Sequence, residues 1–409
     1  MAAPIDARAA ASRGWIPELT SLRAVAAFAV CVTHAAFWTG GYTDDLAGRL
    51  AGRMEIGVTV FFVLSGFLLF RPWVAALAGA GAAPGAAPSA RRYARHRVRR
   101  ILPGYWITVL AVYLLDLHPI DVGGPHPGGA AWIDAAETGT PMAAGGWAGL
   151  LRTLTFTQSA QAGWFHAGLT QMWSMVVEVG FYLVLPLVGW AIWRLLGGRW
   201  RPVALAGCVV AFGLIGPAWA VAAHRVEALP FIARLWPMGY FDWFAGGMAL
   251  AVARRAGLRA PAHLAWPLAA AALAVAVTPV AGPATLVPEE LGQALAKNLV
   301  YLVFAVALIA PAALGPAAGA PAARGLGWLR HPAPHWLGEI SYEFFLVHLV
   351  VLEHVMPMLG YGAFQGSFLG ALIVTTAISV PLAWALRRVT DRITAHRGPA
   401  SPWAAPLGG

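Results

Sequence analysis

Apolar and polar positions in this chain alternate in long blocks. Ten runs, at approximately 21–40, 56–77, 101–117, 171–193, 203–222, 236–253, 263–281, 297–314, 337–355 and 366–386, are mostly apolar. Each holds about 17 to 25 residues, the length at which an α-helix crosses the ~30 Å hydrocarbon layer of a bilayer. The pattern predicts an all-α, polytopic integral membrane protein of about ten transmembrane helices. Between the runs, the Ala, Gly and Pro stretch at 78–90 predicts a linker. The longest polar break, 118–170, holds Asp121, Asp134 and Glu137 just after Asp116, with many Gly and Pro. It predicts an irregular loop with one short helix near GWAGLLRTLTF. The organisation expected is a tail over 1–20, a transmembrane domain over 21–390 and a disordered tail over 391–409 that includes SPWAAPLGG. No internal repeat is visible, which counts against the inverted-repeat transporter architectures.

Composition sharpens this picture. Of 409 residues 59% are hydrophobic and 11% charged, against roughly 25% charged in soluble domains. A net charge of +10 would suit a nucleic-acid partner, but the cations are arginines apart from Lys297, and their positions exclude that reading. With the N-terminus inside, most of them fall in cytoplasmic segments, so both termini are expected in the cytoplasm and the protein in the cell's inner membrane. The opening MAAPIDARAAASRGW lacks a signal-peptide pattern and reads as a cytoplasmic tail. Cys31 and Cys208 lie in apolar runs without CxxC or CxxH spacing, and the 12 histidines show no HExxH, so neither a disulfide framework nor a metal site is expected.

Ionisable side chains inside such runs are candidate functional groups. The run LRAVAAFAVCVTHAAFW carries Arg23 and His34. Eleven positions at 100° each amount to three turns plus ~20° and rise ~16 Å, so the two share one helix face at two depths. That suits a site gripping an anion at one level and moving a proton at the other. The segment RRYARHRVRRILPGYW is either a topogenic anchor on lipid phosphates or a phosphate clamp, because Arg97 and Arg100 project from one face. Pro103 is expected in the first turn of the helix that follows.

Glu178, in QMWSMVVEVGFYLVLP, is either a structural partner for an arginine or a catalytic carboxylate. Counted from the outer face it lies ~10 Å down, and His34 counted from the inner face lies ~20 Å up, so the two are expected to meet. A carboxylate there would orient the imidazole and raise its basicity. Ser65 and Gly66, in GVTVFFVLSGFLLF, read first as small residues permitting close helix approach, and Ser65 has no nucleophile-elbow setting. His348, in LGEISYEFFLVHLVV alongside Glu343, is either a packing residue or a supporting partner. Asp242 is expected ~9 Å below the outer face, lining the same cavity.

Taken in order, IPELTSLRAVAAFAVCVTHAAF, GVTVFFVLSGFLL, RHRVRRILPGYW, MWSMVVEVGFYLVLP and LGEISYEFFLVHLVV resemble the membrane-bound acyltransferase family 3, O-acyltransferases of bacterial surface polysaccharides and some secondary metabolites. The resemblance implies a basic residue and a histidine at Arg23 and His34, paired arginines at Arg97 and Arg100, and functional positions at Trp173, Ser174 and Glu178. The chain departs from the family's habit at Thr59, Val179 and Phe345. No fused external esterase-like domain is expected. The resemblance implies short-chain acyl transfer from acyl-CoA, a co-substrate rather than a resident cofactor, to a hydroxyl of a polysaccharide, glycolipid or glycosylated metabolite. In that scheme His34 is the base, Glu178 its orienting group, and Arg23, Arg97 and Arg100 hold the donor's phosphates, with Ser65, Trp173, Ser174, Asp242 and His348 in support. The alternative is a transporter of acyl groups or lipid-linked sugars with no chemistry of its own.

Overall fold

The computed structural model describes residues 16–79, 86–115, 117, 146–161, 164–286, 288–315 and 326–395. Asp116, Asp121, Asp134, Glu137, most of the 118–170 loop and the SPWAAPLGG tail lie outside them. All regular structure among the described residues is helical. The helices are α1 Pro17–Trp38, α2 Leu46–Gly52, α3 Ile56–Leu77, α4 Ala90–Leu114, α5 Gly146–Leu154, α6 Trp173–Leu195 and α7 Pro202–Gly213. They continue with α8 Ile215–Arg225, α9 Phe241–Arg255, α10 Ala262–Ala276, α11 Leu291–Leu314, α12 Pro332–Glu339, α13 Ser341–Met358 and α14 Phe368–Ala395. α5 is the short helix expected near GWAGLLRTLTF.

Each of the ten apolar runs lands on helix, yet they do not all make full spans. Six segments, Pro17–Trp38, Leu46–Leu77, Gly168–Leu195, Pro202–Arg225, Leu291–Leu314 and Phe368–Thr394, are long and apolar enough to cross a bilayer. The pair α12 and α13, bent by 71°, makes a seventh if counted as one span. Of the rest, α4 is half arginine-rich, and α9 and α10 have only 15 residues each. Domain edges shift as well: α1 begins at Pro17 inside the expected tail, and α14 continues to Ala395, past the boundary placed at 391.

Local chemistry sets these limits. Pro17 occupies the first turn of α1, where a missing N–H is harmless. The Asp45 carboxylate caps α2 by accepting the Gly48 N–H at 2.8 Å. Ser89 caps α4, accepting the Arg92 N–H at 3.3 Å, so the helix starts within the arginine segment and Pro103 stands in its interior rather than its first turn. The arginines are thus helical, and Arg97 and Arg100 do lie one turn apart.

The core forms where α3 crosses α9. A Cβ on Gly66 would overlap the Phe244 carbonyl oxygen, and one on Gly247 would overlap that of Val63, so only glycine admits this backbone approach. Around the crossing Phe62, Phe244 and Phe181 stack, with centroids 4.7 Å and 4.0 Å apart. α12 seats its Gly338 on the Thr20 carbonyl of α1, and Ser341 donates to the Gly338 carbonyl at 2.8 Å across the bend. Leu183, Leu187, Val203 and Ile373 are exposed on the outer surface of α6, α7 and α14, as lipid-facing positions should be.

Gly247→Leu should therefore destabilise the bundle by about 1–3 kcal/mol or more, since extra side-chain volume here meets backbone. Gly207, whose Cβ would meet nothing within 4 Å, is the matched control, and Gly207→Ala should leave stability unchanged or raise it by about 0.5–1 kcal/mol. Thermal unfolding followed by tryptophan fluorescence in detergent checks both; equal midpoints for the two variants would remove the crossing from its role.

Candidate active site

The His34 of α1 and the His348 of α13 meet inside the bundle. Their rings stack with centroids 5.1 Å apart and planes 13° from parallel, and His34 Nδ1 lies 2.8 Å from His348 Nε2. His348 is fully buried; its Nδ1 is 2.9 Å from the Phe345 carbonyl oxygen and 3.2 Å from that of Phe344. A carbonyl only accepts, so His348 Nδ1 carries a proton and donates it. In a neutral His348 the Nε2 is then an acceptor, and His34 must donate to it from Nδ1. That assignment leaves Nε2 of His34 unprotonated, and His34 is only half-buried. An imidazole held this way has one basic nitrogen to offer and a fixed ring orientation.

A second cluster lies nearer the N-terminal ends of α1 and α4. Arg100 pairs with the buried Glu343 of α13 at 3.2 Å, and its guanidinium lies 5.3 Å from the Tyr342 ring centroid. Arg387 of α14 reaches the same carboxylate at 3.9 Å and pairs with Asp391 at 2.8 Å. Arg97 sits over the Tyr182 ring at 5.7 Å. Arg23 is within electrostatic reach of Arg100, Glu178, Tyr182 and Glu343. Arg97 Nε, Arg100 Nη2 and the Tyr93 hydroxyl are buried without a hydrogen-bond partner. Orphaned donors are costly to bury, and three in a group dominated by guanidiniums suit an anionic ligand with several oxygens.

The structure places Glu178 in this second cluster and not beside His34. Ser65 donates to its carboxylate at 2.7 Å and the Tyr182 hydroxyl also donates to it. Depth counting misled because it took α6 as one uniform helix from residue 171: a 3-10 segment, Ala167–Met172, precedes it, and α6 runs on from Glu178 to Leu195. Glu178 thereby comes level with Arg23, a helix rise of ~16 Å away from His34. The side chain that bonds the His34 ring is that of His348 instead.

Ser65 thus hydrogen-bonds Glu178, while the close helix approach is made by Gly66. Ser174 donates to the Gln171 carbonyl at 3.2 Å, a local contact at the start of α6. Trp173 packs on Tyr240, ring centroids 5.3 Å apart, and lines a separate cleft. Asp242, in the first turn of α9, packs against Gly216 of α8 and joins neither cluster. Sequence reasoning gave no role to Tyr93, Tyr182, Tyr342 or Arg387; a tyrosine four residues after Glu178, one helical turn, was the available signal for Tyr182.

A family model described as an acyltransferase domain matches residues 16–388. The chain is 27% identical over 365 residues to the acyltransferase MdmB of Streptomyces mycarofaciens, covering 84% of this chain and 81% of that protein. It is 25% identical over 218 residues to the peptidoglycan O-acetyltransferase OatA of Listeria monocytogenes, covering 51% of this chain and 29% of that one. No solved structure matches the chain. Because the matched region takes in the histidine pair, the arginine cluster and nearly every helix, the chain belongs to the acyltransferase 3 family and is a membrane acyltransferase.

Proposed function

We propose that this enzyme transfers a short acyl group from acyl-CoA to a hydroxyl of a sugar-containing acceptor, with His34 as general base. The observation that carries this reading is the presence of two groups: orphaned donors on Tyr93, Arg97 and Arg100 in the cluster that Arg23 joins, and a basic imidazole nitrogen ~16 Å further along α1 from Arg23. Acyl-CoA has the same division, with phosphates at one end and a thioester at the end of an extended arm. Phosphates in the arginine cluster would direct the thioester along α1 toward His34.

The reaction then balances as follows. His34 Nε2 takes the acceptor hydroxyl's proton as the oxygen attacks the thioester carbon, and the tetrahedral intermediate collapses with loss of the CoA thiolate. His34 returns the proton to that sulfur, giving an ester and free CoA. While His34 is an imidazolium, its Nδ1–H still donates to His348, whose own Nδ1 stays on the backbone carbonyls. His348 is a positioning residue. Glu178, held by Ser65 and Tyr182, balances charge beside Arg23. The excess of arginine at the cluster's end of the bundle supports a reading in which that end and both termini face the cytoplasm from the inner membrane, with the shorter α4, α9 and α10 completing about ten spans.

His34→Ala should lower kcat by roughly 10²–10⁴-fold, and His348→Ala by roughly tenfold or more through loss of ring orientation. The double variant should be no worse than His34→Ala, because groups acting as one unit are non-additive. Product formation from labelled acyl-CoA in membranes gives the three rates; multiplied losses would separate the two histidines.

Arg97→Lys and Arg100→Lys keep the charge but lose planar two-point contact with phosphate, so each should raise the donor KM about tenfold and leave insertion topology unchanged. Glu178→Gln should alter the donor KM without changing the pH profile of kcat. Kinetics with a topology reporter check both sets; Lys variants with normal donor KM would make the arginines membrane anchors.

A further inference from the structure

At the end of the bundle remote from the arginine cluster, the start of α3 borders an aromatic cleft walled by Trp173, Trp219, Tyr240 and Trp243. Glu55, just before α3, and Arg234 also line it. Glu55 stands ten residues before Ser65, the partner of Glu178, a rise of ~15 Å along α3 that matches the ~16 Å between Arg23 and His34 on α1. Thr33, next to His34, has its hydroxyl 2.7 Å from the Tyr42 hydroxyl and donates to the Gly52 carbonyl at 3.4 Å, and Tyr42 is within electrostatic reach of Glu55.

Its polar groups are incompletely used. Glu55 Oε1 accepts from Lys297 at 2.9 Å and from the Tyr301 hydroxyl at 2.8 Å, while Glu55 Oε2 is buried without a partner. Lys297 spends its remaining donors on the Thr285 and Leu286 carbonyls at 2.7 Å and 3.0 Å. Arg234 Nε and Nη1 are likewise buried without partners. Tyr240 is 5% exposed, and its hydroxyl makes no hydrogen bond among the described residues. The cleft thus presents an orphaned acceptor, orphaned donors and a hydroxyl able to do either, set between aromatic faces.

Charge narrows the ligand. Lys297 neutralises Glu55, and Arg234 has Glu289 within electrostatic reach, so the cleft favours neither a cation nor an anion. A hydroxylated ring needs donors and acceptors side by side and lays its C–H face on an aromatic plane. We propose that this cleft is the acceptor site and takes a neutral sugar ring, a reading that rests on the acyl-transfer function above. A sugar hydroxyl donates to Glu55 Oε2, and Arg234 and Tyr240 bond neighbouring hydroxyl oxygens.

The test uses the purified full chain in detergent, titrated with methyl β-D-glucopyranoside, methyl α-D-mannopyranoside and methyl N-acetyl-β-D-glucosaminide while tryptophan fluorescence is followed, with glycerol as control and CoA binding measured in parallel. At least one glycoside should give a saturable change that glycerol does not. Tyr240→Phe removes a hydroxyl that no protein group uses, so the fold is kept, and it should raise that glycoside's Kd about fivefold or more; Arg234→Gln should do the same, both with CoA affinity unchanged. Absence of saturation with all three glycosides, or equal Kd values in the variants, overturns the proposal. Loss of CoA binding or transfer in the wild type beside intact, variant-sensitive glycoside binding would instead overturn the acyl-CoA reading and leave the sugar site standing.

Discussion

The hydrogen bond from His34 to His348 is the contact to which the rest of the site is subordinate. Two imidazoles in a membrane bundle are costly unless each ring nitrogen is partnered or put to use. The pair meets that demand through a chain that begins at backbone carbonyls of α13, passes through His348 and ends at one basic nitrogen of His34. Holding α13 against α1 at this distance takes the bend at Ile340 and the seating of Gly338 on Thr20, where any side chain would force the helices apart.

α1 and α13 then act together as a scale of depth. Each carries a charged residue toward the arginine cluster, Arg23 or Glu343, and a histidine further along, eleven residues (~16 Å) on in α1 and five (~7.5 Å) on in α13. At the first level, Glu343 receives Arg100 and Arg387. Buried ion pairs of this kind give little net stability, but they fix guanidinium orientation before a ligand arrives. At the second level the two imidazoles pair with each other, and no ion pair to either is found among the described residues. In the proposed reaction, grip and chemistry are thereby kept apart, so that no arginine competes for the base's lone pair.

Much of this was legible in the residues. Apolar runs located the helices because burying backbone in lipid leaves few alternatives, and an eleven-residue spacing placed Arg23 and His34 on one continuous helix. What failed did so for one physical reason: counting residues from a membrane face assumes that each span begins there. α6 starts after a 3-10 segment within the protein, so Glu178 fell at the level of Arg23. α12 and α13 bend by 71° where one straight span was expected. Such breaks are permitted wherever neighbouring protein satisfies the backbone, and periodicity in one segment cannot register that. His348 was visible as a candidate, but its pairing with His34 depends on the contact of helices far apart in sequence.

The tautomer assignment is the central claim, and ring-nitrogen NMR reports it directly. In detergent-solubilised protein carrying 15N-labelled histidine, the signals lost in His34→Gln identify His34. The account predicts a neutral ring protonated at Nδ1 and bare at Nε2 near neutral pH. A His34 protonated at Nε2, or at both nitrogens, would leave no base to accept the acceptor's proton and would contradict it.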